Sequence, residues 1–269
     1  VLDQVFAMAV GAEDALVRHN FVSGTHALTV SLFGVLRAGD TMVSITGKPY
    51  DTMEEVIGIR GEGNGSLKDF GVHYKQVDLL KTGEPDIEGI KKAAVGAKVA
   101  YIQRSRGYSL RESFTVEKIG ELVAVCKEVN PNIIVIVDNC YGEFVEKKEP
   151  VEVGADLIVG SLIKNPGGGL AVSGGYIVGK SQLVDQVADY LTAPGLGREL
   201  GASLGQNRLL YQGLFMAPHT VLQALKGAVL AAAVFENLGF EVSPGWSEER
   251  SDIVQAVILR NPEQIRQFC

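Results

Sequence analysis

The stretch Asp156-Leu157-Ile158-Val159-Gly160-Ser161-Leu162-Ile163-Lys164-Asn165-Pro166-Gly167-Gly168-Gly169 decides how this chain is read. Its apolar run after Asp156 predicts a strand over 157–160, buried on both faces, since it offers no polar face to water. A lysine and then three glycines follow directly. One connection upstream lies a second such run, Ile133-Ile134-Val135-Ile136-Val137-Asp138-Asn139, which ends on a carboxylate. Working outward, 16–22, 41–46, 72–78, 98–102 and 175–179 also read as strands. Helical patterns at 25–36, 53–57, 87–94 and 116–129 lie between them. The last starts after Thr115, an N-cap residue, and stops at Asn130-Pro131. This alternation predicts an α/β fold, a doubly wound and mostly parallel seven-stranded sheet.

Beyond Ser203 the pattern changes. Helical sequence runs to about Leu238, and 240–242 and 252–259 then read as strands of another unit. The expected organisation is a large domain over 1–220 and the beginning of a small α/β domain over 221–269. The first residues read as a helix already under way, and the second unit stops soon after it starts. Both ends are therefore expected to be incomplete.

Composition narrows the function. With 46% hydrophobic and 21% charged residues, the chain resembles an ordinary soluble globular protein. A net charge of −7 disfavours nucleic acid or an anionic membrane as partner. No unbroken apolar run approaches the roughly 18 residues of a membrane span, and no signal peptide is visible. Cys126, Cys140 and Cys269 form no CxxC pair, which fits a reducing, cytoplasmic compartment. The four histidines are too scattered for a metal site.

Four segments carry candidate chemistry, each at a strand-to-loop junction, where open α/β sheets bind ligands. Ser23-Gly24-Thr25-His26 opens a helix, so its free N–H groups and hydroxyls suit a phosphate. An ordinary N-cap is the alternative. Tyr50 in Pro49-Tyr50-Asp51-Thr52 can stack on a planar cofactor, or simply occupy a turn. Asp138 ends an apolar strand, and a buried carboxylate needs a partner. A protonated pyridine nitrogen, a Mg²⁺ ion or the N–H groups of a following helix would each serve. Lys164 stands at the edge of an apolar site, where burial lowers proton affinity and makes the amine a better nucleophile. Alternatively it snorkels to solvent. Ser161, three residues earlier, reaches the same side. A helix start, an aromatic residue, an aspartate and a lysine in this order discriminate better than any one of them.

At these residues the sequence resembles the fold-type I enzymes that use pyridoxal 5′-phosphate. It is most similar to the methionine γ-lyase-related family known as aluminium resistance proteins or candidate cystathionine β-lyases. Matching stretches include 11–18, Ser23 to His26, Thr46 to Thr52, Gln103 to Tyr108, Val137 to Phe144, Gly160 to Gly169, 211–215 and 217–219. The resemblance implies a carbon–sulfur lyase acting on a sulfur amino acid, with Lys164 carrying the cofactor and moving the α-proton. It implies that Asp138 pairs with the ring nitrogen beside Asn139 and that Tyr50 stacks on the ring. Ser23, Gly24, Thr25, His26 and Ser161 surround the phosphate. Two departures stand out. Ile163 replaces the threonine of the usual Ser-x-Thr-Lys pattern, which removes one phosphate hydroxyl. Gln103 to Tyr108 replaces an Asn-Pro motif, and Arg106 is read as the partner of the ring hydroxyl. Family members are longer at both ends, and their further C-terminal part supplies the substrate-carboxylate anchor. The family also implies a homodimer or a dimer of dimers.

Other readings compete. Gly174 to Ser181 matches the P-loop pattern GxxxxGK[ST], with Ile133 to Asp138 as a Walker B strand. Tyr176-Ile177-Val178 is nevertheless β-prone, and the order is inverted. Gly201-Ala202-Ser203-Leu204-Gly205 matches GxSxG but follows no apolar strand. Gly61 to Ser66 lacks the third glycine of a dinucleotide loop. A protein that binds the cofactor without turning over substrate is the remaining alternative.

Overall fold

The computed structural model describes residues 1–62 and 65–269. In chain order it contains α1 (Leu2–Val10), β1 (Asp14–Arg18), α2 (Gly24–Val35), β2 (Thr41–Ser44), α3 (Asp51–Ile57) and β3 (His73–Gln76). Then follow α4 (Ile87–Ala94), β4 (Val99–Gln103), α5 (Val116–Val129), β5 (Ile134–Asp138), β6 (Leu157–Ser161) and β7 (Gly175–Gly179). The chain closes with α6 (Ser181–Leu191), α7 (Asn207–Asn237), β8 (Glu241–Ser243), β9 (Ala256–Ile258) and α8 (Pro262–Phe268).

The first seven strands form one sheet in the order β1-β7-β6-β5-β4-β2-β3. All run the same way except β7, which is antiparallel to both β6 and β1. The sheet is thus seven-stranded and mostly parallel, as expected, with β7 the one reversed strand. A parallel return needs a crossover, usually a helix. The segment from Leu162 to Gly174 contains only a short 3₁₀ turn at Asn165–Gly167, so the chain reverses. The remaining strands place their carboxyl ends along one edge, where Gln103 pairs with Asp138 and Asp138 with Val159.

Alternate residues of each strand enter opposite cores, as the pleat requires. Val135, Val137 and Ile158 pack with α1, α4 and α5, while Ile136, Leu157 and Val159 pack with α2, α3 and α6. Gly34 lets α2 and α6 touch, since a Cβ there would come within 3.1 Å of Val187 Cα. Thr115 caps α5 by accepting from the Lys118 N–H at 3.0 Å. At its other end Asn130 Nδ2 donates to the Ala94 and Ala97 carbonyls.

One expectation needs correction, the bounds of the first strand, and the strand expected at 175–179 stands. The first strand is β1, ending at Arg18, rather than 16–22. The Arg18 guanidinium turns to Asp3 at 2.7 Å, and Phe21 is buried edge-on to His26 in the loop that follows. The P-loop candidate is strand β7, paired on both sides, so it cannot cradle a phosphate. The helix α7 is long and apolar enough, by length and composition alone, to cross a membrane. Its apolar residues are interspersed with Gln212, His219, Gln223 and Lys226, so the sequence offers no unbroken run. Position 220, the expected domain boundary, lies inside this helix. The dinucleotide-loop candidate includes residues 63 and 64, which lie outside the described residues.

Candidate active site

A cavity of about 290 Å³ opens at the carboxyl edge of the sheet. It brings together Ser23, Gly24, Thr25, Tyr50, Asp138, Ser161 and Lys164 from four separate stretches of chain. Each arrives from the end of a strand or the start of a helix.

At the start of α2, Ser23 Oγ accepts from the His26 N–H at 3.1 Å. The N–H groups of Gly24 and Thr25 have no acceptor among the described residues. An open helix start of this kind suits an anion. Gly24 is required by space, because a Cβ would lie 3.2 Å from Ser161 Cβ and 3.4 Å from Cys140 Sγ. Thr25 Oγ1 shares a hydrogen bond of 2.8 Å with Thr52 Oγ1 at the start of α3. Tyr50 donates its hydroxyl to Tyr108 at 2.9 Å. That bond, together with partial burial, pushes the Tyr50 hydroxyl up to about 12.

Asp138 is buried at the end of β5. Its Oδ1 accepts from the Cys140 N–H at 3.1 Å, and its Oδ2 accepts from the Tyr101 hydroxyl at 3.4 Å. Burial raises its pKa, and the nearby Lys164 charge only partly opposes this. Among the described residues no cationic side chain lies within ion-pairing distance of it. Such a carboxylate suits a cation that arrives with a ligand.

Lys164 lies past the end of β6 with its Nζ 4.0 Å from the centre of the Tyr141 ring. Burial pulls its pKa down, but Cys140, Tyr141 and Asp138 outweigh burial and the net shift is upward. The expectation of weakened proton affinity is therefore reversed in the ligand-free chain. Tyr141 itself holds φ at 72°, a left-handed conformation uncommon for a bulky residue. Asn165 Nδ2 and the Ile253 N–H both donate to its carbonyl, at 3.1 and 3.2 Å, and fix it there.

Three candidates do not line this cavity. His26 faces a neighbouring cavity beside Leu16 and Arg198. Asn139 is buried beneath the site, accepting from Arg104 Nη1 and donating to Glu149 Oε2, both at 2.8 Å. Arg106 is also buried, and its Nη1 reaches Ser243 Oγ at 2.8 Å. Conversely, Thr52, Gln103, Ser105, Gly107, Cys140 and Tyr141 line the cavity without having been singled out as site residues. Cys140 and Tyr141 were signalled by position, directly after the strand-ending Asp138. Gln103 to Gly107 required the register that sets β4 beside β5.

Comparison with known proteins places these features. The fold is α/β, built on a mostly parallel seven-stranded sheet with the cavity at its carboxyl edge. The methionine gamma-lyase family model matches residues 1–269, and the chain belongs to that family. It is 52% identical to the uncharacterized protein YnbB of Bacillus subtilis over 271 residues, covering 100% of this chain and 64% of that protein. The solved structure of a candidate cystathionine beta-lyase involved in aluminum resistance from Listeria monocytogenes is 53% identical, with a TM-score of 0.96. That match covers 98% of this chain and 65% of the other. The L-methionine gamma-lyase of Fusobacterium nucleatum is 30% identical over 195 residues, covering 70% of this chain and 42% of that protein. The chain thus spans just under two thirds of the length of its more similar relatives.

Proposed function

We propose that this chain carries the cofactor site of a pyridoxal phosphate-dependent carbon–sulfur lyase, acting on a sulfur-containing amino acid by elimination. The observation behind this reading is the convergence of Asp138, Lys164 and the open start of α2 on one cavity. Lyases of this family typically use that cofactor. The residues present fit it. A buried carboxylate without an ion-pair partner suits its ring nitrogen, and a helix start kept open by Gly24 beside Ser161 suits its phosphate.

When bound, pyridoxal phosphate supplies an electron sink for the substrate's α-carbon. Asp138 keeps the ring nitrogen protonated and so strengthens that sink. Lys164 Nζ would hold the cofactor and would serve as the base for the proton on the substrate's α-carbon. Its raised proton affinity means that Nζ must lose a proton before it can act as a base or nucleophile. The Tyr141 ring positions Nζ. The N–H groups of Gly24 and Thr25, with the Ser161 hydroxyl, would hold the phosphate, and Tyr50 would supply an aromatic wall. The carbon–sulfur bond at the β or γ carbon would break as the α-proton passes to Lys164, the sulfur leaving as a thiolate that takes a proton from solvent.

The test is the visible spectrum of the protein loaded with pyridoxal phosphate, before and after borohydride. The expected result is a band that borohydride abolishes, with the label mapped to Lys164 and with no band in Lys164→Ala. A label on another lysine, or a K164A variant that keeps the band, overturns the assignment. Release of keto acid from L-methionine or L-cystathionine then separates a lyase from a protein that only binds the cofactor.

A further inference from the structure

The steps outlined above make no use of Tyr108, although this residue touches the cavity wall. It is 84% exposed, so burial does not hold its ring in place. Two contacts with Tyr50 do. The Tyr50 hydroxyl donates to the Tyr108 hydroxyl at 2.9 Å, and the two ring centres lie 5.4 Å apart at an interplanar angle of 32°. That separation is typical of a favourable aromatic pair.

The loop that carries Tyr108 is braced from behind. Arg111 pins its base, donating to the carbonyls of Gln103 at 2.7 Å, Ser105 at 2.5 Å and Glu112 at 2.7 Å. Ser109 Oγ closes the tip on the Arg106 carbonyl at 2.7 Å, and the Gly107 N–H donates to Ser105 Oγ at 3.1 Å. Gly107 lines the cavity with φ at 58°, in the left-handed region that favours glycine. A Cβ at this position would sit 3.6 Å from Tyr50 Cδ2, so the loop runs against the Tyr50 ring. Loop and ring therefore meet twice, once through Gly107 and once through Tyr108.

Tyr50 needs such support. Its main chain is fixed where α3 starts, since its carbonyl accepts from the Met53 N–H at 2.9 Å. Its side chain turns about two bonds, and among the described residues its hydroxyl bonds to Tyr108 alone. We propose that Tyr108 is a positioning residue for Tyr50, its hydroxyl fixing the Tyr50 ring as a wall of the cavity by accepting the Tyr50 O–H. That this wall serves a planar cofactor rests on the function proposed above, whereas the hold of Tyr108 on Tyr50 does not.

The test uses the cofactor-free chain and tetranitromethane at about pH 8, a reagent that nitrates tyrosine through its phenolate. Initial rates at each tyrosine are read by peptide mass mapping. Tyr190, on α6 and outside the cavity, is the control. Tyr108→Phe keeps the ring and loses the acceptor, and Tyr108→Ala loses both. At so exposed a position either change should leave the melting temperature within about 1–2 °C of the wild type. Without its partner the Tyr50 phenol moves from about 12 back toward its ordinary value of 10. Each pKa unit means about ten times more phenolate at fixed pH. Nitration of Tyr50 is expected to quicken about tenfold in Tyr108→Phe and at least as much in Tyr108→Ala, with Tyr190 unchanged. An unchanged rate at Tyr50 in Tyr108→Phe overturns the proposal, even if Tyr108→Ala is faster, because Tyr108 then only shades the ring. A rise matched at Tyr190 overturns it as well, since that is general loosening. Pyridoxal phosphate added to the wild type should slow nitration of Tyr50. If it does not, the cofactor reading fails, and the two variants still decide the role of Tyr108.

Discussion

At the scale of single residues, the site depends on carboxyls and cations in water-poor surroundings. Glu143 is the sharpest case. It is 2% exposed, its Oε1 accepts from the Tyr176 hydroxyl at 2.7 Å, and its Oε2 has no partner. Burial pushes it up to about 8, with Glu149 adding to the rise and Lys164 opposing it. Between its ordinary value of 4.5 and about 8 the folded chain holds a proton that the unfolded chain has lost. The stability this contributes is complete below 4.5 and vanishes as pH rises through about 8. The slope is about 1.4 kcal/mol per pH unit. Glu143→Gln mimics the protonated acid and removes the slope. Urea unfolding at pH 5.5 and 7.5 should show the wild type losing on the order of 2 kcal/mol that the variant keeps. Equal losses would mean that Glu143 is already ionised in the fold. The same logic separates Glu143 from Asp138. Both are raised by burial, but only Asp138 lines the cavity, where an incoming cation can compensate its charge.

At the scale of elements, α7 sets the loop that follows Lys164. The helix and the loop meet backbone to backbone, because a Cβ on Gly213 would lie 2.3 Å from the Gly167 carbonyl oxygen, and one on Gly168 would lie 2.3 Å from that of Gly213. Alanine outranks glycine within a helix by about 1 kcal/mol. At Gly213 the clash with an unyielding backbone should reverse that sign. Thermal melts are expected to place Gly213→Ala below the wild type by about 2 kcal/mol or more, and to place Gly227→Ala at or above it, since a Cβ there meets nothing within 4 Å. If G213A proved as stable as the wild type, the loop would be free to shift away from the helix. This contact could not be read from sequence, because it joins residues some 45 positions apart through atoms that every residue shares. What was legible followed from periodicity and caps. The helices at 87–94 and 116–129 stand as expected, and β2 to β7 fall on anticipated runs, while β1 begins and ends earlier than expected. The reversal of β7 was hidden because an apolar strand reads alike in both directions. Asp138 and Lys164 were legible because polar residues ending apolar strands need a reason. The displacement of Arg106 was not, since its partner Ser243 lies 137 residues away.

At the scale of the whole molecule, the cavity exists only when the sheet is complete. The start of α2, the start of α3 and the ends of β4, β5 and β6 each contribute one wall. No segment can hold a ligand by itself, so binding energy must appear as stability of the entire sheet. For a ligand bound by the folded state alone, a concentration one hundred times the Kd adds about 2.7 kcal/mol. In a domain of this size each kcal/mol moves the melting temperature by about 2–4 °C. Saturating pyridoxal phosphate should therefore raise the melting temperature of the main transition by roughly 5–10 °C. On the proposed assignment Lys164→Ala removes the point of covalent attachment but leaves the open helix start and Asp138, so part of the shift should survive. Gly24→Ala narrows the cradle against Ser161 and Cys140 while leaving Lys164 in place, so it should lower the shift by weakening affinity rather than by abolishing attachment. Calorimetry of the three proteins with and without the cofactor checks the ordering. A wild-type melt that the cofactor leaves unmoved would separate this cavity from cofactor binding. A shift undiminished in both variants would place the binding site elsewhere on the chain.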